Sequence, residues 1–282
     1  MPAEEKVEDC PRHHGRVCLL TAQAGDVFTG SVDTGSRIMQ AAGKNLTRVN
    51  LELGGKAPAI VLADANLDLA VKAIYDSRVI NTGQVCNCAE RVYVERSVAD
   101  RFIAKMTQQL AATRYGDPSV EADLHMGPLV NQAALEKLER MVAQARSDGA
   151  EIVTGGQRAT LEHGFHYQPT LITGCNSGME IMRKELFGPV LPVQIVDSLE
   201  EAIDESNDSE FGLTSSIFTN DLNKAMRAMR DLRFGETYVN REHFEAMQGF
   251  HAGRRKSGIG GADGKHGLHE YMETHVMYIQ HD

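Results

Sequence analysis

The sequence predicts an α/β fold built on parallel strands. Two features predict it. Stretches that suit strands alternate with amphipathic helical stretches. The run APAIVL at 57–62 is continuously apolar, as a strand buried on both faces requires. Residues 1–26 stand apart, being charge-rich with a His13–His14 pair and little periodicity. FTGSVDTG at 28–35 reads as a turn-rich loop, and 36–45 as a short helix with Ile38, Met39 and Ala42 on one side. TRVNLEL at 47–53 alternates like a strand. After the 57–62 strand come a helix at 68–80, a strand at 90–95 and a helix at 98–112. A long helix over 131–149 ends at Gly149, a natural C-cap. A short strand at 151–154 follows. Strands at 190–196, 213–219 and 236–240 then alternate with helices at 199–206 and 222–232. The Gly-rich, basic 249–267 stretch reads as loop, and 276–280 as a closing strand.

At roughly 150 residues per domain, 282 residues suggest about two domains. Composition is ordinary for a globular protein, with 42 % apolar residues, which argues against wholesale disorder. A net charge of −10 lacks the electrostatics of a nucleic-acid binder and suits an anionic membrane surface poorly. The basic run Arg254–Arg255–Lys256 is too short to reverse that and reads as a solvated loop or a phosphate contact. No apolar stretch is long enough for a transmembrane helix, and the N-terminus is not a signal peptide, so a cytoplasmic location is expected. With five cysteines and a reducing compartment, no disulfide framework is expected. His266 and His269 are spaced H-x-x-H but lack a second ligand pair, so no metal site is expected.

Three stretches carry candidate chemistry. In NTGQVCNCAER at 81–91, Cys86 falls in a loop between a helix and a strand, where a rigid scaffold can present a nucleophile. The ordinary alternative is a small buried hydrophobe. In LELGGK at 51–56, Glu52 ends a strand beside a Gly-Gly turn, where a carboxylate entering a cleft serves as a general base. The alternative is an exposed strand tip. In KELFGPV at 184–190, Pro189 makes a rigid turn that holds Glu185 and Phe187.

Taken together, LELGGK, GQVC, ELFGPV and the SGIGG at 257–261 resemble the NAD(P)-dependent aldehyde dehydrogenase superfamily over about 27–282. The stretches GQVCNCAERVYV, FGLTSSIFT and NREHFEAMQGFHAGRRKSGIGGADGKHGLHEY resemble its lactaldehyde/glycolaldehyde branch. The resemblance implies a three-layer α/β fold. It would have a complete catalytic domain at 55–253 and only the end of a Rossmann-type cofactor domain at 27–54. A segment at 254–282 would return to the cofactor or oligomerisation side. It implies Cys86 as nucleophile, Glu52 as general base and Cys88 as structural. Glu185 matches the residue that binds the nicotinamide ribose, and Phe187 the aromatic beside it. Gly30 and Gly35 match the glycine pair of the cofactor loop. Ser31 and a helix beginning near Ser36 would face the pyrophosphate of NAD, with NADP not excluded.

The implied reaction is attack by Cys86 on an aldehyde, hydride loss to the nicotinamide, and thioester hydrolysis by water that Glu52 activates. The 240–253 loop matches the segment that lines the aldehyde tunnel. Glu245 and His251 there are expected to hydrogen-bond the hydroxyl of a short 2-hydroxyaldehyde; the alternative for His251 is a bond to a backbone carbonyl. Family members are usually homo-dimers or homo-tetramers. The resemblance starts at about Val27, and the family's opening Rossmann strands, its Pro-Trp-Asn segment and its adenosine-binding residues have no counterpart in 1–26. A truncated chain with impaired turnover is therefore expected, with 51–53 and 57–62 partly uncovered. The competing readings are an NAD-independent thiol esterase, and a non-catalytic fragment that assembles with a full-length subunit through 276–280.

Overall fold

The computed structural model describes residues 25–159, 161, 163–242 and 245–282. The expectations placed on 1–24, including Cys10 and Cys18, lie outside the described residues. The chain opens with β1 (Gly25–Thr29), α1 (Val32–Ala42), β2 (Arg48–Glu52), β3 (Ala57–Val61) and α2 (Leu67–Val79). Next come β4 (Ala89–Glu95), α3 (Arg96–Ala111), α4 (Gln132–Ser147), β5 (Glu151–Thr154) and β6 (Thr170–Thr173). Then follow α5 (Glu180–Arg183), β7 (Val190–Val196), α6 (Leu199–Asn207), β8 (Phe211–Gly212) and β9 (Thr214–Phe218). Last are α7 (Leu222–Asp231), β10 (Glu236–Val239), β11 (Arg254–Arg255), β12 (Gly258–Ile259) and α8 (Gly264–Glu270).

The large sheet has the order β10-β9-β3-β4-β7-β6-β5, parallel except for the β5–β6 pair. The interior position of β3, between β9 and β4, explains the unbroken apolar run. Ile60 faces a core built with Leu138 and Met141 of α4, Ala202 of α6 and Ala228 of α7. Its neighbours Ala59 and Val61 face the opposite core, built with Ile74 of α2 and Phe102 of α3. Successive residues of one strand thus serve two helical layers. Helix starts are fixed locally. Asn66, Asn131 and Ser198 accept from backbone N–H groups of Leu69, Ala134 and Glu201. Helix α4 ends before Gly149, whose φ of +99° reverses the chain and lets its N–H reach Arg146 O at 3.1 Å.

A second sheet has the order β1-β2-β12, with β1 parallel and β12 antiparallel to β2. Ile38 of α1 packs there on Leu51 and Leu53. The expected uncovering of 51–53 and 57–62 does not occur. Leu51 and Leu53 are covered by α1, and 57–62 lies inside the large sheet rather than beside 47–53. The Gly-Gly turn after Glu52 separates the two strands into different sheets.

Four local expectations are corrected. Residues 25–29 form a strand because β2 supplies a parallel ladder that no local pattern reveals. Helix α1 starts at Val32, four residues earlier than expected, because Ser31 caps it by accepting from Thr34 N. The 249–267 stretch contains β11, β12 and the start of α8, and the two strands are fixed by distant partners, β8 and β2. Residues 276–280 form no strand. Val276, Met277, Tyr278 and Ile279 are exposed and join no ladder among the described residues, and without a ladder an extended segment is not a strand. Ile60, fully buried at the centre of the sheet, sets a stability test: Ile60→Ala should cost about 2–5 kcal/mol, read as a lowered urea midpoint.

Candidate active site

The LELGGK motif is explained by what its residues touch. Glu52 ends β2, and the next N–H, of Leu53, donates to Ser257 O at 2.9 Å. A Cβ at Gly54 would lie 2.6 Å from Glu185 Oε2, and one at Gly55 would lie 2.3 Å from Cys86 O. Only glycines let the Glu185 carboxyl and the Cys86 backbone approach so closely. The Gly55 N–H donates to Glu185 Oε1 at 2.8 Å. Lys56 turns inward and is fully buried.

A buried ionic network joins the two loops that flank this turn. Glu90 lies 2.9 Å from Lys56 Nζ and 3.0 Å from Arg78 Nη1, all three side chains being buried. Its carboxylate also accepts from the Leu186 and Phe187 N–H groups, at 2.9 and 3.0 Å. Burial works against its charge, and the Lys56 and Arg78 cations overcome that and hold it below the usual carboxylate range. Arg78 in turn donates to Ala89 O at 2.7 Å and Gly83 O at 2.5 Å. Glu90→Gln leaves two buried cations without their carboxylate and should cost about 3–5 kcal/mol in urea unfolding.

The Cys86 loop is held from several sides. A 3₁₀ turn over Ile80–Gly83 carries positive φ at Asn81, Thr82 and Gly83. Gln84 Oε1 accepts from Val130 N at 2.8 Å, and Thr82 Oγ1 donates to Gly127 O at 3.0 Å. Cys86 is partly accessible, whereas Cys88 and Cys175 are buried. Burial pushes the Cys88 thiol up to about 12 and the Cys175 thiol up to about 11. Cys88 points inward, with Sγ 2.9 Å from Val85 O and 3.0 Å from Arg78 Nη2.

His251 brings the remaining groups together. Its Nδ1 lies 2.5 Å from Glu236 Oε1 and its Nε2 lies 3.7 Å from Glu52 Oε2. Bonds to Cys86 and Glu236 outweigh burial and push His251 up to about 10. Glu52 is raised, mainly by burial, with His251 opposing. Glu245 accepts from Asn87 Nδ2 at 2.9 Å. Donor atoms of Glu236, Glu245 and His251 lie within 4.8 Å of one another, a set that could share a cation. His266 instead packs against Phe250 and His269. Glu236, Asn87 and Glu90 were not singled out from sequence. Asn87 adjoins Cys86 and Glu90 is the second residue of β4, but Glu236 carries no local signal.

Gly30 N donates to Glu52 O at 3.0 Å, tying the loop ahead of α1 to the candidate base. Ser31 is the α1 cap, so the free N–H groups of the first helical turn open beside it. Gly35 lies inside α1, where a Cβ would strike Leu53 at 2.6 Å, so it serves helix–strand packing. Phe187 is partly exposed with φ +55°, a strained backbone for an aromatic residue that Glu90 holds through its N–H. Burial, helped by the Glu90 charge, raises the Glu185 carboxyl to about 7. A carboxyl raised on folding favours the native state at low pH and loses that contribution as pH climbs through about 4.5 to 7. Glu185→Gln should therefore flatten the fall in urea stability between pH 5 and 8, by on the order of 2 kcal/mol.

These elements, with a strand-end carboxylate and a loop cysteine meeting at a Gly-Gly turn, define a class. Residues 24–277 match the aldehyde dehydrogenase family, and the chain belongs to that family. It is 60 % identical to lactaldehyde dehydrogenase of Escherichia coli K12 over 90 % of its own length and 53 % of that enzyme's. A crystal structure of lactaldehyde dehydrogenase from E. coli superposes with a TM-score of 0.90, at 58 % identity, covering 92 % of this chain and 54 % of that one. Betaine aldehyde dehydrogenase from Staphylococcus aureus, solved with NAD+, gives 0.85 at 36 % identity, covering 88 % and 50 %. The chain spans about half the length of the curated relatives it matches.

Proposed function

We propose that this chain carries the aldehyde-oxidising half-site of a lactaldehyde-type dehydrogenase. Its substrate would be a short 2-hydroxyaldehyde and its product the carboxylic acid. The observation that carries this reading is that the Gly54–Gly55 turn following Glu52 closes against both the Cys86 backbone and the Glu185 carboxyl, with His251 3.7 Å from Glu52. Cys86 adds to the aldehyde carbon, with its own N–H available to the resulting oxyanion. NAD(P)+, when bound, would supply the hydride acceptor. Glu52, raised by burial, takes a proton from the water that hydrolyses the acyl-Cys86 ester. Asn87 and Glu245 offer an amide and a carboxylate to the substrate hydroxyl.

The residues fit the nicotinamide and pyrophosphate ends of the cofactor. Gly30, Ser31 and the start of α1 offer N–H groups for phosphate, and Glu185 with Phe187 would take the nicotinamide ribose. In this reading 27–54 belongs to the cofactor side, 55–253 to the catalytic domain, and 254–282 returns to the cofactor side through β12. Self-assembly, usual in the family, and a cytoplasmic setting are part of this proposal; no described helix is long and apolar enough to cross a membrane.

Calorimetry with NAD+ on the folded chain, followed by NADH formation with lactaldehyde, tests the proposal. Saturable binding and turnover that Cys86→Ser abolishes are expected. NAD-insensitive cleavage of an activated ester without NADH formation would instead favour the thiol-esterase reading. Co-purification with a full-length subunit, without activity of its own, would favour an assembling fragment. His251→Ala assigns the histidine: a loss on lactaldehyde alone places it on the substrate hydroxyl, and an equal loss on propanal removes that role.

A further inference from the structure

We propose that Glu236, Glu245 and His251 form a binding site for one divalent first-row transition cation, of the Mn2+ or Zn2+ type. The site goes beyond the aldehyde reading and does not depend on it. Strand β10 brings Glu236, and the 240–253 loop brings Glu245 and returns with His251. One ligand atom from each lies within 4.8 Å of the other two. Metal–ligand bonds of about 2.1 Å set donors about 3–4.2 Å apart, so a small side-chain movement closes the set. The imidazole is already placed. Its backbone is fastened to Ala262 by two hydrogen bonds, from His251 N at 3.0 Å and from Ala262 N at 2.7 Å. Its side chain is 12 % exposed.

A second observation points to a ligand at this place. Asn87 is 7 % exposed, and its Nδ2 donates to Glu245 Oε2 at 2.9 Å. The Oδ1 of that same amide is buried without a hydrogen-bond partner. An orphaned amide oxygen is costly, and a cation or the water bound to it satisfies it. Glu52, whose Oε2 lies 3.7 Å from His251, has its Oε1 buried and orphaned too. Both ligating carboxylates are oriented from outside the set. Asn87 holds Glu245, and the Tyr238 hydroxyl holds Glu236. Outer donors of this kind orient the carboxylates of metal sites. Charge favours a cation as well. Glu52, Glu236 and Glu245 outnumber the imidazole and Arg241, whose guanidinium lies over the Tyr238 ring, 5.5 Å from its centroid. One imidazole nitrogen with two carboxylates suits a first-row cation better than Ca2+, which takes all-oxygen sets. Three protein ligands leave positions for water. A ring nitrogen ligates only without its proton, so binding releases that proton to solvent.

The test uses Mn2+ as the probe, because it favours oxygen ligands over thiolate and so avoids Cys86. The electron-paramagnetic-resonance signal of the free ion falls on binding. The full chain is titrated without cofactor or aldehyde. A saturable loss of signal is expected, with faster water-proton relaxation from the positions left to water, and Zn2+ should restore the free-ion signal. Glu245→Gln and His251→Ala should each weaken binding by about tenfold or more, and Tyr238→Phe, which frees Glu236, by about tenfold. The urea midpoint of each variant reports an intact fold. Where His251→Ala lowers it, Glu245→Gln, in a loop, decides. Absence of saturable Mn2+ binding by the wild-type chain overturns the site. Wild-type affinity in the deciding variant also overturns it, by placing the ion elsewhere on the chain. With no cofactor or aldehyde present, either outcome is independent of whether the chain oxidises aldehydes.

Discussion

The buried carboxylate of Glu90 is the interaction on which the rest of the site depends. It faces Lys56 and Arg78, and it accepts from two N–H groups of the 185–187 loop. Through Lys56 it anchors the turn after Glu52. Through Arg78 it reaches the carbonyl of Gly83 on the nucleophile loop. Three chain segments distant in sequence thus share one charged centre. Charges buried this deeply are tolerated only when paired and hydrogen-bonded, so the network fixes geometry more than it adds stability.

Around that centre the backbone does as much as the side chains. Gly54 and Gly55 are present because a carboxyl and a carbonyl occupy the space a Cβ would need. The positive φ values at Asn81, Thr82 and Gly83 turn the chain sharply between α2 and Cys86. Phe187 accepts the same unfavourable conformation while Glu90 holds its N–H. Strain of this kind persists where surrounding bonds over-determine the backbone, and Asn81, Thr82 and Phe187 place some of it on the two loops that meet the Gly-Gly turn. The strands that carry those loops are rigid, central and buried, which keeps the reactive groups on a fixed frame.

Electrostatically, the site divides into two regions. On one side Glu185 sits in a buried setting that disfavours its charge. On the other, the Glu52, Glu236 and Glu245 carboxylates crowd the His251 imidazole. In the proposed reaction the first region serves the cofactor and the second the thiol, the water and the substrate hydroxyl. The Gly-Gly turn lies between them, so one short motif sets the separation of the two.

Much of the fold was legible because its signals are local. The apolar run of β3, the caps of α2, α4 and α6, and Gly149 each declare an element within a few residues. The motifs around Glu52, Cys86 and Glu185 likewise carry the family in their residue order. What local sequence did not declare was whatever depends on a distant partner. Strand β1 exists through β2, β12 through the far side of β2, and 276–280 found no ladder among the described residues. Glu236 and His251 are fifteen residues apart, with no motif joining them, yet they meet at hydrogen-bonding distance. Sequence by itself determined which groups are chemically competent and which runs must be buried, because composition and periodicity are properties of short windows. Tertiary structure alone decided which carboxylate faces which cation and which carboxylates meet His251, because those pairings depend on how separate windows are brought together.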